Sequence, residues 1–149
     1  QMKRLNTIIV ICLLAALNSC TIAQELPELD DYISNFNYET RSDMRVNSNE
    51  LIELLEIKKA ILLDIRFDEE YNSWNFPFAM HIALPDLPEN LKKLDKNKLY
   101  ITACPHNDRA IIAMIYLTNK GYKVKYLSDG LLSLADYLRG NNAYNFMQK

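Results

Sequence analysis

Apolar residues along this chain fall into short runs with two periods, and the alternation between them predicts a layered α/β structure. Ala60-Ile61-Leu62-Leu63-Asp64-Ile65 is a nearly continuous apolar stretch of strand length, the pattern of a strand covered on both faces. Leu99-Tyr100-Ile101-Thr102-Ala103 and Val124 to Leu127 repeat it, and Ala79 to Leu84 predicts a further short strand. Between them the period changes. Asn47-x-x-Glu50 reads as a capping box opening a helix through Glu56, with Leu51, Leu54 and Leu55 facing inward. Pro88 to Leu94 predicts a short helix. Arg109 to Asn119 is so apolar at Ile111, Ile112, Met114, Ile115 and Leu117 that it must lie against the sheet. Gly121 stands just past its end, where a left-handed cap is expected. A last helix runs from Gly130 to about Arg139, and the Asn-rich tail, 140–149, is expected to fray. Strands separated by helices predict a central parallel β-sheet flanked by helices on both faces.

The first part of the chain obeys different rules. Met2 reads as the initiator, and Lys3 and Arg4 precede an eleven-residue apolar run from Thr7 to Leu17. That length is too short to span a bilayer and fits the hydrophobic region of a signal peptide. The run ends in Leu17-Asn18-Ser19-Cys20, which resembles the lipobox of bacterial lipoproteins. In that family the signal is cut just before the Cys, which is then acylated. Residues 1–19 are therefore expected to be a signal peptide and Cys20 a lipidation site. The chain would be exported and held at a bacterial membrane, facing the periplasm or the cell exterior. Cleavage near Ala23, leaving a soluble periplasmic chain, is the alternative. Residues 20–45 are acidic and polar and read as a tether. Within them Leu29, Ile33 and Phe36 follow Pro27 at helical spacing and suggest a short amphipathic helix docking on the domain. The domain itself is expected over 46–139.

Composition then narrows the chemistry. Loss of Lys3 and Arg4 with the leader would leave 15 Lys+Arg against 19 Asp+Glu, a net charge of about −4. With no basic cluster, nucleic acid is a poor partner. The chain has only three glycines, Gly121, Gly130 and Gly140. Their spacing excludes G-x-G-x-x-G and Walker-type phosphate loops. Of the three cysteines, Cys12 leaves with the leader and Cys20 is lipidated or removed. Cys104 then remains as a lone thiol, with no internal disulfide, in an oxidising compartment.

That thiol sits where chemistry is expected. Ala103-Cys104-Pro105-His106-Asn107-Asp108-Arg109-Ala110 joins a buried strand to a helix. In a parallel sheet this junction lies at the carboxyl edge, where ligands bind. The helix N-terminus and the Arg109 charge are both expected to favour the thiolate and lower the Cys104 pKa. The same loop would hold an anion against the sulfur.

These residues also carry a resemblance. From about Val46 to Leu138 the chain resembles a single-domain rhodanese. Leu63-Asp64-Ile65-Arg66 is similar to that family's first-strand motif. Glu69-Glu70-Tyr71 with Phe76-Pro77-Phe78-Ala79 is similar to its next segment, Cys104-x4-Arg109 to its active-site loop, and Leu127-Ser128-Asp129-Gly130-Leu131 to its late turn. The resemblance implies a rhodanese-like α/β fold and a sulfurtransferase that carries sulfane sulfur as a persulfide. Cys104 would be the nucleophile. Backbone N–H groups from His106 to Ala110 would cradle the anionic sulfur, and Arg109 would fix the loop or the donor anion. Asp64 and Arg66 are expected to make fold-holding hydrogen bonds and a salt bridge near the loop. The implied partners are a small donor, thiosulfate or a persulfide, and a thiol acceptor; no cofactor and no metal is implied. A loop of this length belongs to the sulfurtransferases, whereas related phosphatases and arsenate reductases carry one residue more.

The departures from the family pattern are local. Pro105 offers no N–H, Asp108 puts a negative charge in an anion loop, and Asn107 stands where Gly is frequent and would have to accept a positive φ. Trp74, Asn75 and Phe78 replace Gly, His and Gly beside the expected pocket mouth. These bear on turnover and substrate rather than on fold. They motivate a second reading, a rhodanese-fold binding or regulatory module with little turnover. A third, a monothiol redox protein, comes from Cys-Pro-His, but the second Cys that such loops require is Asn107 here. His81 and the Trp74, Phe76, Phe78 cluster are expected to be structural. Lys92, Lys93, Lys96 and Lys98 are expected on a solvated face.

Overall fold

A computed structural model describes residues 29–149. The expected signal peptide, Cys20 and the start of the expected tether lie outside the described residues. Five parallel strands form one sheet: β1 (Arg45–Val46), β2 (Ala60–Asp64), β3 (Met80–His81), β4 (Leu99–Ala103) and β5 (Lys123–Leu127), in the order β1-β5-β4-β2-β3. The helices are α1 (Leu29–Ser34), α2 (Tyr38–Asp43), α3 (Ser48–Glu56), α4 (Asp68–Ser73), α5 (Asp108–Asn119), α6 (Gly130–Tyr137) and α7 (Gly140–Met147).

The period of two inside each strand builds two cores. Leu63, Tyr100 and Tyr126 pack towards α5 with Ala110, Ala113, Met114 and Leu117. Their chain neighbours Leu62, Ile101 and Leu127 pack on the opposite face with Leu51 and Ile52 of α3 and Leu131 and Leu134 of α6. Each fully buried Leu or Ile contributes about 1.5–3 kcal/mol relative to exposure, which is why β2 and β4 read as almost continuous apolar runs. The Asn47 capping box forms as the sequence predicts, with its side chain accepting from Glu50 N at 3.0 Å and Glu50 answering at 2.9 Å. Gly121 has φ 78° just beyond α5, and Tyr122 N reaches back to Leu117 O at 3.0 Å, closing the helix.

Five sequence expectations are not met in full. The strand expected over Ala79 to Leu84 keeps ladder pairing only at Met80–His81 and ends in a 3₁₀ turn at Leu84–Asp86, and of the helix expected over Pro88 to Leu94 only a 3₁₀ turn at Leu91–Lys93 forms. Past His81 the N–H groups of Ile82 and Leu84 still donate to Asp64 O at 3.1 Å and Ile65 O at 3.0 Å. Pro85 then sits in the first turn of Leu84–Asp86, where its missing N–H costs nothing. The connection is also held by burial of Ile82, Ala83, Leu87 and Leu94. The amphipathic helix forms at α1, but Leu29, Ile33 and Phe36 are 48%, 62% and 44% exposed, so it does not dock as expected. The expected tether also contains domain structure: α2 is capped by Asn37, Lys125 pairs with Asp43 at 2.6 Å, and Tyr126 N donates to Met44 O at 2.9 Å. The tail does not fray. Its residues form α7, which sets Phe146 against Phe78 with ring centroids 5.0 Å apart, while Lys149 pairs with Glu56 at 2.7 Å.

Register brings the important loops to one edge. Asp64 is level with Ala103, so the chain leaves β2 and β4 side by side. Next to them α6 begins at Gly130, whose φ is +75°. A Cβ placed there would overlap the carbonyl oxygens of Pro105 and His106 and lie 2.7 Å from His106 Cα. Only glycine lets α6 come this close to the loop after β4. Gly130→Ala is therefore expected to lower unfolding free energy by at least about 2 kcal/mol, from strain and overlap together. Urea denaturation measures it, and an unchanged midpoint would contradict the close approach.

Candidate active site

The loop from Cys104 to Ala110 is gripped from several sides. Its carbonyls turn towards α6, where Leu131 N donates to Cys104 O at 2.9 Å and Leu132 N to Pro105 O at 3.3 Å. Asn107 Nδ2 donates to Ser128 O at 3.0 Å, and Thr102 Oγ1 to Ala110 O at 2.9 Å. Ser128 is itself tied to β1 by its N–H on Val46 O at 2.8 Å. Asp129 is held by Ser48 N at 3.1 Å. Asn107 does not take the left-handed conformation that its position suggested: its φ is −153°, and its side chain does the bracing instead.

Cys104 is buried, with its sulfur at the start of α5. The N–H groups of Ala110 and Arg109 point at Sγ and favour the thiolate. Against them stand burial, the larger effect, and the Asp108 carboxylate, whose Oδ1 accepts from Sγ at 3.4 Å. The balance pushes the thiol up from its ordinary value, the reverse of the shift expected from the helix terminus and Arg109. Asp108 is exposed and moves the other way: the Arg109 N–H and the Cys104 thiol, both donating to it, hold its carboxyl below the usual range. His106 is also exposed.

Arg109 is anchored across the loop. Its guanidinium grips Glu70 of α4 by two bonds, Nη1 to Oε2 at 2.5 Å and Nη2 to Oε1 at 2.9 Å. This fork raises the Arg109 pKa and lowers that of Glu70. Glu70 also caps its own helix by accepting from Phe67 N at 3.3 Å. Below it lies a second pair, fully buried: Arg66 Nη2 to Asp64 Oδ2 at 2.6 Å, with Nε to both carboxylate oxygens at 3.0 Å. Arg66 further donates to the carbonyls of Glu70 at 3.4 Å and Trp74 at 2.9 Å and lies 4.1 Å from the Trp74 ring centroid. Asp64 and Arg66 thus hold the carboxyl edge of β2 and the whole of α4. His81 is structural, stacked on Tyr71 at 4.0 Å and bonded through Nε2 to Arg66 O at 2.9 Å. Phe76 sits between Trp74 and Phe78, and Phe78 leads on to Phe146, so the aromatic cluster covers Arg66 and seats α7.

Among the described residues, no group of His, Cys, Asp or Glu side chains is arranged to hold a metal ion. A parallel sheet with a Cys-x4-Arg loop at its carboxyl edge narrows the fold, and comparison with known proteins decides it. The model of the rhodanese-like domain matches residues 47–136. The chain belongs to the rhodanese-like family. It is 35% identical over 72 residues to a Bacillus subtilis protein bearing the name sulfurtransferase YtwF, covering 48% of this chain and 70% of that one. It is 26% identical over 81 residues to the thiosulfate sulfurtransferase GlpE of Pseudomonas savastanoi, covering 54% and 76%. Among solved structures, a rhodanese-related protein from Thermoplasma volcanium superposes with a TM-score of 0.57 at 26% identity, covering 62% of this chain and 90% of that one. A rhodanese-like domain protein from Staphylococcus aureus gives 0.57 at 27%, covering 60% and 89%. The two relatives from Bacillus subtilis and Pseudomonas savastanoi carry the name sulfurtransferase.

The residues from Cys104 to Ala110, with Asp64 and Arg66, gather at the carboxyl edge of the sheet. Phe78, expected beside the pocket mouth, lies instead by Ala60 and Leu99 at the amino edge, and Cys20 lies outside the described residues. Sequence reasoning missed Glu70 as the partner of Arg109. The Glu69-Glu70-Tyr71 motif was the available signal, but nothing local says which Glu faces a residue 39 positions away. The pKa order yields a direct expectation. Half-maximal alkylation of Cys104 by iodoacetamide should come at a higher pH than for a free cysteine, and Asp108→Asn should move it down. A profile at or below that of free cysteine in the unsubstituted protein would contradict the geometry.

Proposed function

We propose that this rhodanese-like domain is a sulfurtransferase in which Cys104 carries sulfane sulfur as a persulfide. The observation that carries this reading is a thiol at a strand-to-helix junction with two backbone N–H groups, from Arg109 and Ala110, directed at its sulfur. Such donors match an anion that forms on or next to Sγ. In the proposed cycle the Cys104 thiolate attacks the sulfane sulfur of the donor. The donor's S–S bond breaks, the remainder leaves, and the outer sulfur rests in the cradle of N–H groups from His106 to Ala110. An acceptor thiol then attacks that outer sulfur, takes it away and restores Cys104. Arg109 serves as a positioning residue, since its fork to Glu70 fixes the loop to α4.

Incubation of the purified chain with thiosulfate or a low-molecular-weight persulfide should add the mass of one sulfur atom, read by intact mass spectrometry. Cys104→Ser should add none. A folded protein that gains no sulfur from either donor would instead favour a binding module.

The proposal extends to location: the chain is exported and tethered through an acylated Cys20, a reading supported by the Lys3-Arg4 tip, the apolar run and the Leu17 to Cys20 sequence. Several acyl chains on one Cys would suffice for stable anchoring. Fatty-acid labelling in a bacterial host should be lost in Cys20→Ala; label retained without Cys20 would sink the anchor.

A further inference from the structure

Both arginines at the loop are already paired, and two carboxylates, Asp108 and Asp129, are left without a cation among the described residues. Arg109 is matched by Glu70, Arg66 by Asp64, and Asp129 faces the Ser48 N–H. Asp108 has no cationic side chain within ion-pair distance among the described residues. Its carboxylate nevertheless stands 3.4 Å from Sγ of Cys104. It also draws on the Arg109 N–H, one of the two donors aimed at that sulfur. A built-in carboxylate therefore occupies part of the ground that an incoming anion would need, and the cation that would draw such an anion in is engaged elsewhere.

We propose that Asp108 is a specificity-determining residue that selects low-charge persulfide donors, R–S–SH, over dianionic thiosulfate. The proposal rests on the sulfur-carrier reading of Cys104 and names its donor class. In the favoured step Sγ attacks the outer sulfur of R–S–SH. The Sγ–S bond forms as the donor's S–S bond breaks, and R–S⁻ departs with the proton that Cys104 gives up, as R–SH. Cys104 is left as –S–SH, and no oxidant or reductant is consumed. The same attack on thiosulfate would expel sulfite, but only after a doubly negative ion had come up beside Asp108. Unit charges about 5 Å apart in water-like surroundings, doubled for a dianion, repel enough to slow capture about tenfold. Salt should weaken that repulsion.

The test is single-turnover loading of Cys104, followed by intact mass, with thiosulfate and with cysteamine persulfide, whose ammonium group balances an ionised persulfide. Asp108→Asn should raise the thiosulfate rate about tenfold relative to the cysteamine persulfide rate. Any general gain in thiolate from the substitution applies to both donors and cancels in the ratio. Asp108 is exposed at the first turn of α5, so the variant should keep the urea midpoint of the parent. Added sodium chloride should likewise raise the thiosulfate-to-persulfide ratio in the unsubstituted protein and have little effect in D108N, an arm that needs no substitution to show the effect. Both donors loading at a ratio that neither D108N nor salt alters would overturn the charge selection and leave the sulfur carrier standing. No loading from either donor, in either protein, would overturn both.

Discussion

Everything at the carboxyl edge of this sheet depends on two backbones touching. Gly130 brings the start of α6 against Pro105 and His106 with no room for a side chain. The contact is productive because it is also polar: the first amides of α6 take the carbonyls of Cys104 and Pro105. With those carbonyls held, the chain turns into α5, whose first-turn amides of Arg109 and Ala110 face Sγ. The cradle around Cys104 is thus a consequence of helix-to-loop packing before it is a matter of side chains. The ties that run from Ser128 and Asp129 back to Val46 and Ser48 keep α6 in place, so even the short edge strand β1 contributes to the geometry at the sulfur.

Two ion pairs stacked one above the other set the electrostatics. The lower, Asp64 with Arg66, is buried. Breaking such a pair by removing one partner would strand a charge in the interior, at about 3–5 kcal/mol. Because Arg66 also holds the carbonyls of Glu70 and Trp74, it positions α4 and with it the upper pair, Glu70 with Arg109. The outcome is a loop braced by its arginine yet not made strongly positive by it. Burial and Asp108 then decide the state of the thiol, and Cys104 waits as a neutral donor to a carboxylate rather than as a ready thiolate. In the proposed cycle that proton must leave before Sγ can attack a sulfane donor.

Much of this was legible in the chain. The apolar runs at Ala60–Ile65 and Leu99–Ala103, the Asn47–Glu50 capping box and Gly121 act locally, and the structure keeps all of them. The Cys-x4-Arg loop was equally readable, because a strand-to-helix junction fixes where a residue sits. What was not legible depends on contacts distant in sequence. The tail looked polar and loose, yet Phe146 finds Phe78 across the domain. Arg109 looked like a cation for the thiol, yet Glu70 takes it. The direction of the Cys104 shift turned on burial and on one rotamer of Asp108, which no spacing rule encodes.

A sulfur carrier must pass on the sulfur placed on Cys104. A purified chain charged once with labelled sulfane sulfur and freed of excess donor can be mixed with an acceptor thiol and followed over time. The account predicts that label leaves Cys104 and appears on the acceptor in equal amount, with the free Cys104 thiol restored. Label that stays on Cys104 while the acceptor remains unlabelled would contradict it.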